Sequence, residues 1–311
     1  MLRLSIILPV YNEEKNIPVL YDRLKKVMTT MAVAHEFIFI NDGSRDETLA
    51  RVQELAQVDP AVKFINFSRN FGHQVAVTAG LHFCSGERIV IIDADLQDPP
   101  ELIEQMDKKM NEGWNVVYAK RRARKGESFF KKFTAKLFYR LLARLTSIEI
   151  PVDTGDFRMM DQKVVRALNQ MPEHHKFIRG MVSWIGFRQT FVEYDRDQRY
   201  AGKTGYTFRK MFRFALDGIT GFSNLPLKLA TYVGFLFSGV SFLLILYTLY
   251  AKFVSEHYVQ GWASIMISIL FIGGIQLICL GLIGEYLIRM DANIRQRPLY
   301  IISDTNFERK D

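Results

Sequence analysis

The chain has only two cysteines in 311 residues, Cys84 and Cys279. One falls in a soluble helix candidate and the other in a long apolar run, so no disulfide is expected and the sequence reads as that of a reduced compartment. No secretory leader is expected at the start, because Met1 to Val10 is a short strand-like run that passes straight into polar Tyr11-Asn12-Glu13-Glu14. Internal repeats and low-complexity tracts are also lacking. Charge is missing from two stretches, Leu229 to Ala251 and Trp262 to Gly284, each 23 residues without a charged side chain. As helices they would each span about 35 Å, against a hydrocarbon core of about 30 Å. Burying both in a soluble core would need a protein body large enough to hide them, so two membrane spans are expected, at about 229–251 and 262–285.

The segment between them, Lys252 to Gly261, is too short to be a domain, and the spans therefore form a hairpin. Arg209, Lys210, Arg213 and Lys228 precede the first span, and Arg289, Arg295 and Arg297 follow the second. By the positive-inside rule both ends face the cytoplasm. The net charge of +8 fits either nucleic acid or an anionic membrane surface, and its position decides for the membrane. Ten of the 25 residues from Lys120 to Arg144 are Lys or Arg, and basic and apolar residues alternate there at near-helical spacing. Residues 126–146 are thus expected as a basic amphipathic helix at the headgroup layer, with an ordinary surface helix as the alternative. The bilayer is the expected partner, and nucleic acid is not.

Polar and charged groups recur where strands end. Leu4 to Val10, Phe37 to Ile40, Val62 to Phe67, Ile89 to Ile92 and Asn115 to Ala119 read as strands that alternate with helical stretches, which predicts an α/β fold with a mostly parallel sheet and helices on both faces. Asn12 is expected to cap the first helix, and a later helix is expected to start in Glu173-His174-His175-Lys176-Phe177. The two adjacent histidines do not share a helix face and lack an i, i+4 partner, so they are not read as metal ligands. In open α/β sheets ligands bind beyond the carboxyl ends of the strands. There the fourth strand is followed by Asp93-Ala94-Asp95-Leu96-Gln97-Asp98-Pro99-Pro100. Two carboxylates and an amide are hard oxygen ligands suited to Mg²⁺ or Mn²⁺. Taken alone, Asp93 and Asp95 fit a helix-capping role equally well. The loop Arg199 to Tyr206 is basic and contains glycine, fit to close over phosphates, and Phe208 to Phe222 reads as an amphipathic helix running along the membrane.

Pro9-Val10-Tyr11-Asn12-Glu13, Asn41-Asp42-Gly43-Ser44 and Asp93-Ala94-Asp95-Leu96-Gln97-Asp98-Pro99 stand in this order at strand ends. Together they resemble a family 2 glycosyltransferase of GT-A fold. With Thr154-Gly155-Asp156-Phe157-Arg158, Arg199-x-x-Gly202-x-Thr204 and the C-terminal hairpin, the chain is similar to the polyisoprenyl-phosphate glycosyltransferases, the bactoprenol glucosyltransferase group, with dolichol-phosphate mannose synthase more distant. Two departures stand out: Asn41 where many members have Asp, and Thr204-Gly205 in place of the commoner Ser-Lys. The resemblance implies a cytoplasmic GT-A catalytic domain over 1–207, a juxtamembrane helix over 208–227, the hairpin over 228–288 and a cytoplasmic tail over 289–311, in a bacterial inner membrane.

For the site, the resemblance implies that Pro9, Tyr11, Asn12, Glu13, Asp42, Asp93, Ala94 and Asp95 bind a nucleotide sugar. Asp93, Asp95 and Gln97 would hold Mg²⁺ or Mn²⁺. Arg121, Lys132, Arg199 and Lys203 would meet the leaving diphosphate or the acceptor phosphate, and Asp156, Asp95, Arg121 and Arg199 would form the catalytic set, with Asp156 as base or as acceptor-positioning group. The implied reaction is inverting transfer from a nucleotide-diphosphate sugar, UDP-glucose before UDP-N-acetylglucosamine or GDP-mannose, to undecaprenyl phosphate. A homo-oligomer, a tetramer by resemblance, is expected, and small residues such as Gly273 and Gly281 allow close helix packing. A processive polysaccharide synthase would carry a Gln-x-x-Arg-Trp motif and more spans. A non-catalytic, membrane-tethered nucleotide-sugar binder is the alternative from another class.

Overall fold

The computed structural model describes residues 2–122, 154–195, 225–253 and 261–308. Among these the strands are β1 Leu4–Val10, β2 His35–Asn41, β3 Val62–Phe67, β4 Arg88–Ile91, β5 Val116–Arg121, β6 Thr154–Asp161, β7 Gln189–Tyr194 and β8 Ile302–Thr305. The helices are α1 Ile17–Met31, α2 Thr48–Val58, α3 His73–Phe83, α4 Leu102–Asn111, α5 Gln162–Asn169, α6 Ile178–Ile185, α7 Leu225–Phe253 and α8 Trp262–Arg295. The expected basic helix at 126–146, the loop at 199–206 and the helix at 208–222, with Lys132, Arg199 and Lys203, lie outside the described residues.

One sheet runs in the order β7-β5-β6-β4-β1-β2-β3-β8. β4, β1, β2 and β3 are parallel neighbours, so their carboxyl ends open on one edge. β6 lies between β4 and β5, antiparallel to both, and makes the sheet mixed. This is a GT-A-like α/β fold. The apolar runs of the strands are continuous because both faces are covered. Ile6, Leu8, Phe37, Phe39 and Val90 face one core with α1 and α4, whereas Ile7, Ile38, Ile40, Ile89 and Ile91 face the other with α3, α5 and α6. In α1 the buried Ile17, Leu20, Leu24, Val27 and Met28 recur at helical spacing, and a proline opens the helix.

Three expectations change. Asn12 does not cap α1: Asn16 stands at that helix's N-cap, while Asn12 takes a left-handed backbone with φ 57°. The helix expected from Glu173 begins at Ile178. Within the expected tail, Ile302–Thr305 forms β8, which pairs antiparallel with β3 and turns the chain end back onto the sheet.

α7 and α8 are continuous helices of 29 and 34 residues over the two apolar runs. Phe235, Leu236, Leu277 and Ile278 are among their exposed side chains. Among the described residues, Phe271–Arg295 is one stretch long and apolar enough to cross a membrane, with mean hydropathy 1.8 and none of it buried.

At the amino edge of the sheet, Ser5 Oγ donates to Glu36 Oε1 at 2.5 Å and accepts from the Gly86 backbone N–H at 2.8 Å. A Cβ at Gly86 would lie 2.7 Å from the Ser5 backbone nitrogen, and backbone cannot swing away as a flexible side chain could. Gly86→Ala is therefore expected to destabilise the fold by about 1–3 kcal/mol. An unchanged denaturant midpoint would contradict this packing.

Candidate active site

The loops after β1 and β2 are stitched together by side chains. The Asn12 N–H donates to Ser44 Oγ at 2.9 Å, its Oδ1 accepts from the Arg45 N–H at 2.8 Å, and the Glu13 N–H donates to Thr48 Oγ1 at 2.8 Å. Asn tolerates the left-handed backbone that this arrangement needs. Asp42 holds the loop after β3: its two carboxylate oxygens accept from the N–H groups of Phe71 and Gly72 at 2.6 and 2.9 Å. Burial nevertheless pushes its carboxyl up, outweighing those two donors. Gly43, at φ 66°, is needed here because a Cβ would meet the Arg69 carbonyl carbon at 2.5 Å. Between these loops lies a cavity of about 390 Å³, lined by Tyr11, Asn41, Asn66, Ser68, Arg69 and Ser303 among others.

A charged centre lies beyond β4. His73, the first residue of α3, points Nε2 at Asp156 Oδ2 (3.1 Å) and Asp93 Oδ1 (3.5 Å). Asp156, on β6, is 7% exposed. Its Oδ1 accepts from Arg179 Nε at 2.8 Å and its Oδ2 from Gln74 Nε2 at 3.2 Å, while Arg158 Nη2 stands 3.8 Å from Oδ1. Burial works against charging His73, but Asp93 and Asp156 outweigh it and push the imidazole up to about 9. Burial likewise opposes ionising Asp156, yet Arg179 and His73 hold it well below the usual carboxylate range. Asp93 is pushed up by burial and by the carboxylates of Asp156, Asp98 and Asp95, against the pull of His73. Asp156 is thus held ionised and is a poor proton acceptor at neutral pH.

The chain between Asp93 and Asp98 turns sharply. Asp95 Oδ1 accepts from the Gln97 N–H at 3.1 Å, and Leu96 takes a left-handed backbone at φ 59°, its side chain packed at 4% exposure. Such a backbone costs of order 1 kcal/mol and is held by its packing. Neither aspartate caps α4, which starts at Leu102. Asp98 is fully buried, accepts from the Tyr194 hydroxyl and stands 3.9 Å from Arg121 Nη2, while Arg121 Nε donates to that hydroxyl at 3.2 Å. Gly155 makes room for this guanidinium, since a Cβ there would lie 2.9 Å from Arg121 Nη2.

Asp93 Oδ1 is buried and accepts no hydrogen bond, and it sits among other carboxylates. Hard oxygens in such a place fit a divalent cation. Among the described residues no three His, Cys, Asp or Glu side chains converge as a complete metal cage. Mg²⁺ carried by substrate phosphates needs only one or two protein carboxylates.

The expected site residues divide accordingly. Asp93, Asp95 and Asp156 lie at or beside the charged centre, with Ala94 buried between the first two, and Tyr11 lines the cavity. Pro9 is buried within β1, and Glu13 Oε2 accepts from Asn16 Nδ2 at 2.5 Å. Sequence reasoning missed the parts of His73, Gln74, Arg179, Asp98 and Tyr194. His73 had a signal, since it starts a helix directly after a strand-end loop; Arg179 had none.

A family model, "Glycosyl transferase family 2", matches residues 5–168, and a second, "GtrB C-terminal hairpin", matches 225–290. The chain is 52% identical to the uncharacterized glycosyltransferase YkcC of Bacillus subtilis over 96% of its own length and 92% of that protein. It is 39% identical to the bactoprenol glucosyl transferase of Shigella phage SfII, over 98% of this chain and 99% of the relative. Among solved structures, glucosyl-3-phosphoglycerate synthase from Mycobacterium tuberculosis in complex with phosphoglyceric acid is similar at 18% identity and a TM-score of 0.47, over 70% of this chain and 78% of that one.

The raised pKa of His73 links stability to pH. Its charge stabilises the fold in full below the unfolded value of about 6.5 and ceases to do so as pH rises through about 9. Thermal stability of the wild type is expected to decline between those values, and His73→Gln is expected to flatten that decline. Equal slopes for the two proteins would contradict the His73–Asp156 pairing.

Proposed function

The chain belongs to glycosyl transferase family 2 and is a glycosyltransferase, and from that premise we propose that it moves a sugar from a nucleotide-diphosphate sugar onto the phosphate of a polyprenyl lipid. The observation that carries this reading is the union, in one chain, of a family 2 domain and a GtrB-type hairpin. The near-full-length likeness to a bactoprenol glucosyl transferase supports undecaprenyl phosphate as acceptor and UDP-glucose as the first donor to test. α7 and α8 are the proposed membrane hairpin of domain 228–288, with the catalytic domain and both ends of the chain on the cytoplasmic side of a bacterial inner membrane. A homo-oligomer is proposed with it.

In this reading the nucleoside enters the cavity beside Tyr11, and the diphosphate reaches toward Asp93 and Asp95. A divalent ion, Mg²⁺ or Mn²⁺, would be held by Asp93 and Asp95, with Gln97 nearby, and would supply charge neutralisation of the departing diphosphate. Arg121, fixed by Tyr194 and Asp98, supplies a permanent cation at the same edge. Arg199, Lys203 and Lys132 are proposed to contribute further positive charge toward the two phosphates. A phosphate monoester has a second pKa of about 6, so the acceptor oxygen is already largely anionic at neutral pH. A strong base is unnecessary, which agrees with an Asp156 held ionised by its cations. Asp156 instead fixes His73 and Arg179, and the remaining task is to align two anionic substrates for in-line displacement with inversion.

Membranes containing the protein, given undecaprenyl phosphate and a panel of radiolabelled nucleotide sugars, are expected to form a lipid-linked sugar from one donor. EDTA should abolish the product, and added Mg²⁺ or Mn²⁺ should restore it. Asp95→Asn is expected to lower turnover by about 100-fold or more, the scale for loss of an electrostatic stabiliser. No lipid-linked product from any donor would sink the reading, and activity that survives EDTA would remove the metal from it.

A further inference from the structure

The cavity between the strand-end loops has a wall drawn from the far end of the chain. β8 pairs with β3 through Asn66 opposite Asp304 and Phe67 opposite Ile302, with a register shift between Asn66 and Phe67. Ser303 is the residue left over at that irregularity. Bulges of this kind re-aim a side chain, and they recur beside active sites. Ser303 lines the cavity together with Tyr11, Asn41, Ser68 and Arg69.

The segment carrying Ser303 is fixed on both sides. The Ser68 N–H donates to the Ile301 carbonyl at 3.0 Å, Thr305 Oγ1 donates to the Phe64 carbonyl at 2.6 Å, and the Phe64 N–H donates to Asn306 Oδ1 at 2.7 Å. The Tyr300 ring stacks on Phe67 with centroids 5.0 Å apart and planes 17° apart, and its hydroxyl meets His82 Nδ1 at 3.0 Å. Phe67 itself borders the cavity, so the stack continues into the wall. Amide, hydroxyl and guanidinium groups with an aromatic ring at the rim suit a flat, hydrogen-bonding heterocycle and its ribose on an anionic ligand.

We infer that β8 closes the donor pocket and that Ser303 is a specificity-determining residue for the nucleoside of the donor. The inference rests on the donor-binding reading proposed above and adds a residue that lies more than 200 positions from the other walls. It also ties the hairpin to donor binding, since α8 ends at Arg295, shortly before Tyr300.

Ser303 is exposed, so a large side chain there fills the cavity without entering the core. Its control is Asp304→Trp, the same bulk one residue along, on the side where Asp304 accepts from Gln53 Nε2 at 3.1 Å. The full chain, in detergent or nanodiscs, is titrated by calorimetry with uridine, guanosine and adenosine diphosphates and with inorganic pyrophosphate, and donor kinetics are measured alongside. For the nucleoside diphosphate that the wild type binds, Ser303→Trp is expected to weaken binding by about tenfold or more, the scale of altered pocket contacts. Pyrophosphate binding should be unchanged, and the kinetic loss should fall on KM for the donor rather than on kcat. Asp304→Trp should stay within about twofold of wild type in every measurement. Wild-type affinity in Ser303→Trp, or equal weakening in both variants, would overturn the inference. Failure of the wild type to bind any nucleoside diphosphate would instead overturn the donor-binding reading beneath it.

Discussion

A buried carboxylate surrounded by cations organises the site. Asp156 is 7% exposed, and Arg179, His73 and Arg158 crowd around it from three parts of the chain. Stripped of those partners, a carboxylate so placed would have to take up a proton, and Arg158, itself only 4% exposed, would be left as an uncompensated charge. β6 must therefore sit where it does, antiparallel beside β4, for α3 and α6 to deliver His73 and Arg179. Gln74 reinforces this, donating to Asp156 and accepting from the Ile178 N–H at 3.0 Å, so the start of α6 is tied to the start of α3. Once β6 is in place, Asp93 at the end of β4 faces the same histidine.

The chemistry follows from a division of labour between two groups of carboxylates. Asp42 and Asp98 brace the scaffold: the first holds the loop at Phe71 and Gly72, and the second holds Tyr194 beside Arg121. Asp93 keeps a buried oxygen without a hydrogen bond among neighbouring carboxylates, and a divalent cation there would offset their mutual repulsion. In the proposed reaction the acceptor phosphate arrives already ionised, so catalytic effort goes into the leaving diphosphate. Fixed cations around an Asp156 that stays ionised suit that need better than an acid–base pair would.

Much of this was legible in the sequence. β-branched runs with carboxylates at their ends revealed the parallel strands and the edge on which the candidate site is placed, because burial on both faces and ligand binding at strand ends each leave a pattern in neighbouring residues. The two uncharged 23-residue runs revealed the helices α7 and α8. What escaped depends on distant partners. The β8 segment Ile302-Ser303-Asp304-Thr305 is short and polar, and only pairing with β3 makes it a strand. Arg179 gains its role from the way α6 packs, which no local spacing encodes. Asn12 looked like a helix cap because its chemistry suits one, but that same chemistry is spent on a left-handed turn and the Arg45 N–H.

In the proposed reaction one strand edge brings the nucleoside cavity and the Asp93–Asp95 turn to bear on a single donor. A structure of the full chain in lipid nanodiscs with uridine diphosphate and Mn²⁺ tests it most directly, because the metal can be located by its own anomalous or electron-scattering signal. Mn²⁺ is expected about 2.1 Å from oxygens of Asp93, Asp95 or both, with the diphosphate on it and the base in the cavity beside Tyr11. A nucleotide bound elsewhere, or a metal that touches neither aspartate, would contradict it.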